Sequence, residues 1–456
     1  MAFVAKITSS VGRELGFGLR GQVICPGDHG YDAARAVFNG MINRRPLAVV
    51  RPADASDVVR CIEFTRRHNL PLSVRGGGHS VAGHAVRDGA IMLDLSGMKA
   101  VQVEPKTRTV RAEPGLTLGE FDRATQPFGL ATPLGVVSVT GIAGLTLGGG
   151  LGWLNGSYGL ACDNLLSADV VTADGQLLRA SPQQNTDLFW GIRGGGGNFG
   201  VVTSFEYQLH PVDGVLAGAL SYPLSTAPQI LRFYDDYVKA APDELSTAIS
   251  LALTATGEPT VSIVVCYCGP TDEGERLLHP LRTFRSPEDD SIQPRPYTAL
   301  QSARDQGFPS GRLHYWKSGW LRHLSDSAIE TLMQFIPQMP SSASGVGLQQ
   351  MHGVASRIAP SATAFPHRAE QYDFLILSQW SDATDSDRNI EWTNALFQAM
   401  QPHLEKSVYV NNLGDEGPGR VKAAYGQNYP RLAALKRTYD PDDLFRANQN
   451  IDPSQT

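Results

Sequence analysis

Apolar and polar positions alternate along this chain with two periods, and the changes from one to the other outline its elements. Residues 32–45 (DAARAVFNGMINRR) place apolar side chains near every 3.6 positions and predict a helix. PLAVV (46–50) predicts a short strand. A second helix runs from about Ser56 to Asn69, opened by the cap signal Asp54-Ala55-Ser56-Asp57. PLSVRGG is the next strand, and the period then falls to two in AIMLDLS, AVQVEPKTRTVRAEPG and NLLSADVVTADGQLLRAS. The last of these is a hairpin turning at Ala173-Asp174-Gly175. SPQQNTDLFWGIRGGGGNFGVVTSFEYQLHP holds a short helix, a glycine loop and a strand ending near Leu209.

After Pro211 the pattern changes again. Amphipathic helices (APQILRFYDDYVKAAPDEL, SDSAIETLMQFIPQM) alternate with strands (STAISLALTAT, TVSIVVCYCG, YDFLILSQW), which is the signature of helices laid on a sheet. The tail YGQNYPRLAALKRTYDPDDLF is a helix stopped by Asp-Pro and is expected to return to the first domain. The pattern therefore predicts an α+β chain in three parts: a first domain over 1–211, a second over 212–405, and a returning segment over 406–456.

Composition narrows the function. Charged residues make up 18% and the formal net charge is −6, so electrostatics favour neither nucleic acid nor an anionic membrane as partner. The five cysteines (Cys25, Cys61, Cys162, Cys266, Cys268) are odd in number and have no zinc spacing, so free thiols in a reducing compartment and no metal are expected. MAFVAKITSSVGRELGFG lacks an apolar h-region and a small-residue cleavage site; a cytoplasmic enzyme is the expectation. Ala124 to Cys162 contains no Asp, Glu, Lys or Arg and would pass a hydropathy scan as a membrane span. Its eight glycines between Gly135 and Gly156, each costing a helix about 1 kcal/mol relative to alanine, argue against that.

The 47 glycines, roughly a tenth of the chain, cluster in three loops: Arg75–Gly83, Gly141–Gly152 and Gly194–Gly200. GGGNFG (195–200) matches G-x-G-x-x-G, yet a helix precedes it and a strand follows, the reverse of the dinucleotide fingerprint. Several uncharged glycine loops suit a pyrophosphate held by backbone N–H groups alone, with no lysine needed.

RGGGHSVAGH, the strand with LDLS, TGIAGLTLGGGLGWLNGSYGLACDNLLSADVVTADG, DLFWGIRGGGGNFGVVTSFEY, YVNN and YGQNYPRLAALKRTYDPDDLFRANQNI occur in this order over nearly the whole chain. Together they resemble the berberine-bridge-enzyme-like flavin oxidases of the vanillyl-alcohol-oxidase superfamily. The resemblance implies a PCMH-type FAD-binding domain of two subdomains and an antiparallel-sheet substrate domain covered by helices. It implies FAD tethered through His79, the histidine of R-x-G-G-H. A cysteine that provides a second tether in many relatives is Val137 here, so a single attachment is expected, with Cys162 left to packing.

The resemblance also places Arg75, Gly76, Gly77, Gly78, Ser80, His84, Thr140, Gly141, Gly144, Gly148, Gly149, Gly152, Trp153, Gly200, Val201, Val202, Asn411 and Asn428 around the cofactor. Thr140, being small, favours access of dioxygen. Family chemistry is hydride removal from an activated C–H to flavin N5 followed by reoxidation by O₂. The residues expected to act on the substrate are Asp373, Asn411, and Tyr315 with Lys317, which strand alternation puts on one face with Trp316 on the other. Gln349, Gln350 and His352 form a further polar set. The expected partners are dioxygen and a small molecule: an aromatic or polyketide-like natural product first, a cyclic amine such as a hydroxynicotine second, an alcohol or sugar third. A flavin–oxygen adduct acting as a monooxygenase, and a non-catalytic flavin carrier, are the alternatives. A monomer or homodimer is expected.

Overall fold

The structure is a computed structural model that describes residues 12–454; the opening residues of the amino-terminal stretch, on which the leader argument partly rests, lie outside them. Three sheets carry the fold. In the first, Ala48–Arg51, Ile91–Asp94 and Leu72–Arg75 run parallel, and Gln22–Ile24 joins antiparallel at one edge. The helix Ala55–Arg67 covers it, capped by Asp54, whose carboxylate accepts from the N–H groups of Ser56 and Asp57. The second sheet is antiparallel, with Val201–Gln208 central between Thr109–Ala112 and Leu165–Val171. Leu177–Ala180 extends it through the hairpin expected at Ala173–Gly175.

The third sheet is the largest, with eight strands, all antiparallel. Pro259–Tyr267, Leu245–Leu253, Gly345–Met351, Gln371–Trp380 and Leu313–Leu321 follow one another across it. Ala227–Val238, Asp326–Phe335 and Ser386–Met400 pack their apolar stripes against one face, burying Ile230, Leu231, Ile329, Leu332 and Leu396 on Ile249, Phe374 and Ile376. The opposite face is left to the first two sheets and the carboxy-terminal segment.

That segment is stitched into the body around Asn198. The helix Tyr429–Tyr439, which ends where Asp440-Pro441 was expected to stop it, buries Leu432, Ala433 and Leu435 in the core of the second sheet. Lys436, fully buried, donates to Asp440 Oδ2 (2.6 Å), Phe445 O (2.9 Å) and Asn198 O (3.1 Å). Asp440 in turn accepts from the N–H groups of Leu444 and Phe445.

One expectation about the elements is corrected. The helix predicted over 32–45 is only Tyr31–Arg35. Beyond it the backbone bonds leave the segment: Phe38 N donates to Gly78 O, Gly40 N donates to Arg312 O, and Phe38 O accepts from Gly311 N. The apolar residues that mimicked a helix stripe are anchors for other chain segments. The uncharged glycine-rich stretch is broken into short pieces, the helices Ile142–Leu147 and Asn155–Tyr158 among them, and among the described residues no helix is long and apolar enough to cross a membrane.

Lys436→Met leaves the Asp440 carboxylate buried without its cation. Because breaking one side of a buried pair costs about 3–5 kcal/mol, chemical denaturation is expected to show a loss of that size, against a loss within about 0.5 kcal/mol for the exposed Lys406→Met.

Candidate active site

A cavity of about 390 Å³ lies between the bare face of the large sheet and the glycine loops. One wall comes from the strands, through Val264, Ala248, Ser250, Gln349, Asp373, Leu375, Leu377 and Trp316. The other comes from Gly76–Ser80, Gly135–Val137, Thr140–Gly148 and Gly196–Val202, and Tyr409–Asn412 with Phe445–Gln449 close it.

The loop after Tyr31–Arg35 sets one end. Phe38 stacks on His79 with ring centres 3.9 Å apart and planes 15° apart, and its other face stacks on His314 at 4.3 Å. Asn39 Nδ2 donates to Val81 O (2.8 Å) and His314 O (3.0 Å), while its Oδ1 accepts from His314 N (3.0 Å). The glycine loop and the strand Leu313–Leu321 are therefore pinned to each other through two consecutive residues. Burial pulls the His79 and His84 imidazoles down to about 4, so both rings are neutral at pH 7. The Nε2 atom of each is buried with no partner.

At the strand wall, Asp373 accepts from Asn412 Nδ2 at 2.6 Å through Oδ2, and its Oδ1 is buried without a partner. Burial pushes the carboxyl up to about 7, partly offset by the Asn412 bond. Beside it, Asn411 Nδ2 donates to Leu145 O and Tyr409 Oη. A Cβ at Gly148 would come within 2.0 Å of Asn411 Oδ1, so the amide can sit there only because position 148 has no side chain.

Of the residues expected at the site, Gly76, Gly77, Gly78, His79, Ser80, His84, Val137, Thr140, Gly141, Gly144, Gly148, Trp153, Gly200, Val201, Val202, Asp373 and Asn411 line the cavity. Others do not. Arg75 turns away, its guanidinium forking onto Asp94 and reaching Ala36 O. Gly149 and Gly152 give room to Phe365 and to Leu134 O. Asn428 spends its amide on the carbonyls of Pro360, Thr363 and Ala364.

Tyr315 and Lys317 do share a face, but it is the helix-covered one: Tyr315 Oη meets Asn394, and Lys317 Nζ pairs with Glu416 at 3.2 Å. Trp316 is the residue that looks into the cavity. Gln349 lines it as well, whereas Gln350 bonds Thr247 on the helix side and His352 N donates to Asn155. Phe38, Asn39, Trp316, Tyr409 and Asn412 were missed. The doubled asparagine of YVNN was the only signal for any of them.

A family model described as an FAD binding domain matches residues 46–181, and one described as berberine and berberine like matches 408–452. An FAD-linked oxidoreductase of Dictyostelium discoideum is 33% identical over 414 residues, covering 90% of this chain and 89% of that protein. The chain belongs to the berberine-bridge-enzyme-like FAD-linked oxidoreductases. (R)-6-Hydroxynicotine oxidase of Paenarthrobacter nicotinovorans is 31% identical over 449 residues, 95% of this chain and 97% of that one. The crystal structure of 6-hydroxy-D-nicotine oxidase from Arthrobacter nicotinovorans matches with a TM-score of 0.88 at 30% identity, over 96% of this chain and 99% of that chain. A chitooligosaccharide oxidase matches with a TM-score of 0.85 at 23% identity, over 98% of this chain and 100% of that chain, and so shares the fold. The PCMH-type arrangement with its antiparallel substrate sheet is the architecture of this berberine-bridge-enzyme-like enzyme.

FAD fits the residues present. Gly144 and Gly197 both line the cavity, and a Cβ added to either meets no protein atom within 4 Å. Gly144 even lies inside a helix, where alanine is the better residue by about 1 kcal/mol. A glycine with open space on its cavity side makes room for something other than protein. Gly77 is the opposite case, its Cβ falling 2.5 Å from the backbone of Gly141.

Gly144→Ala is therefore expected to leave the melting temperature of the cofactor-free protein unchanged or raised while lowering the FAD retained per chain. Gly77→Ala is expected to lower both, since overpacking backbone against backbone costs about 1–3 kcal/mol. Thermal melts and the ratio of flavin to protein absorbance separate the two.

Proposed function

We propose that this enzyme is an FAD-dependent oxidase that removes a hydride from an activated C–H of a small molecule, with FAD tethered through His79 alone. FAD, when bound, supplies the two-electron acceptor that takes the hydride at N5 and passes both electrons to dioxygen, giving hydrogen peroxide. Asp373 carries the reading: a buried carboxyl on the cavity wall with one oxygen unshared and a pKa pushed up to about 7. In its ionised form it accepts the proton of the substrate O–H or N–H as the adjacent carbon gives up its hydride. Asn412 holds Oδ2, so Oδ1 is the atom left for that proton. Asn411 adds a polar contact without charge.

His79 suits the tether because its ring is neutral, stacked in one orientation on Phe38, and keeps an unshared Nε2. Val137 lines the cavity where many relatives carry a second attachment, and no cysteine lines it, which supports a single bond. Thr140, small and on the cavity wall, is in keeping with access of dioxygen. An aromatic or polyketide-like substrate suits the Trp316, Leu375 and Leu377 wall. A cyclic amine is the second reading, favoured by the 31% identity to (R)-6-hydroxynicotine oxidase. The odd cysteine number supports a reducing, cytoplasmic location.

The test is the pH dependence of flavin reduction under anaerobic stopped flow. Because the carboxylate form is the acceptor, the rate is expected to rise with pH, inflect near 7 and level off above it. Asp373→Asn is expected to lose the inflection and fall by about 100-fold or more. A wild-type rate independent of pH between 5 and 9, or an Asn variant that keeps the inflection, contradicts the assignment.

A further inference from the structure

The cavity wall carries one basic side chain other than histidine, Arg304, and the reaction has no use for it. It sits on the stretch between the helix Tyr297–Ser302 and the strand Leu313–Leu321. Its guanidinium lies over the Phe308 ring, 5.8 Å from the centroid. Among the described residues it makes no side-chain hydrogen bond and no ion pair. The adjacent carboxylate is committed elsewhere: Asp305 accepts from Ser138 N (2.9 Å) and Ser138 Oγ (2.5 Å). The acid that does line the cavity, Asp373, is held by Asn412. Arg304 is half-buried, and desolvation lowers its pKa from its ordinary value.

The surroundings say what would complete it. Phe308 packs in one cluster with Phe38, Val81, Val137 and Trp316, at the end of the cavity where His79 stacks on Phe38. Gly196, Gly197, Leu72, Val74 and Phe445 belong to the same lining. Arg304 thus stands among apolar and aromatic side chains on the large-sheet side. A guanidinium presents a planar fork that matches a carboxylate with two parallel hydrogen bonds, and in a partly dry wall such a bond is strong.

We propose that Arg304 is the specificity-determining residue for a carboxylate on the substrate, so that this enzyme acts on aromatic or cyclic carboxylic acids rather than on neutral molecules. The inference rests on the oxidase reading of the same cavity for its chemistry, but the anion site itself can be measured without turnover. The carboxylate binds Arg304, the ring lies against Phe308 and Trp316, and the carbon that loses its hydride is the part directed toward Asp373.

The experiment is calorimetric titration of the FAD-loaded enzyme with benzoate and with benzamide, which share a shape and differ in charge. Wild type is expected to bind benzoate at least ten-fold more tightly. Arg304→Gln, with flavin content unchanged, is expected to bind the two equally, and Arg304→Lys to recover part of the preference. Equal affinities in wild type, or a preference that survives Arg304→Gln, overturn the proposal. A panel of cyclic alcohols and amines with and without a carboxylate then reads the chemistry by flavin bleaching. Benzoate selectivity in an enzyme that none of them bleaches upholds the anion site and removes the oxidase reading.

Discussion

The site depends on the clamp made by Phe38 and Asn39. A cavity between two sheets persists only if something holds the sheets at a set separation without filling the space between them. Here a two-residue stretch does so. The Asn39 amide satisfies both a carbonyl of the glycine loop and the backbone of the large sheet, while the Phe38 ring is held flat between His79 and His314. Aromatic stacking of this kind contributes roughly 0.5–1.5 kcal/mol beyond burial, and a buried amide with its bonds satisfied is costly to displace. His79 is consequently held in one orientation, and burial keeps its ring neutral.

The chemistry follows from the scarcity of charge. The glycine loops offer backbone and no cation, and the histidines are neutralised by burial. The single acid on the cavity wall is pushed toward neutrality and partnered by one asparagine. In such surroundings each unshared polar atom carries more weight than it would in water. Asp373 and Arg304 are the two charged side chains of the cavity lining among the described residues.

Much of this was legible in the sequence, and the failures have physical causes. The glycine loops announced themselves because no side chain could replace them at contacts such as Gly77 against Gly141 or Gly148 against Asn411. Asp373, expected from the resemblance of its strand to the family's, lines the cavity. The pairing of Tyr315 with Lys317 was correct, but a strand buried on both faces gives no clue as to which face meets the cavity; Trp316 does, and Lys317 serves Glu416. The helix expected over 32–45 failed because Val37, Phe38 and Ile42 are spaced as a stripe yet pack on different neighbours. Arg304 lies in an irregular segment, where no periodicity points to its role.

The proposed oxidase holds FAD through one covalent bond to one histidine. The measurement that tests it most directly is acid precipitation of the purified yellow protein, comparing wild type with His79→Ala. The yellow colour is expected to stay in the wild-type pellet and to pass entirely to the supernatant for His79→Ala. Colour released from the wild type contradicts the tether, and colour retained by both contradicts the single attachment.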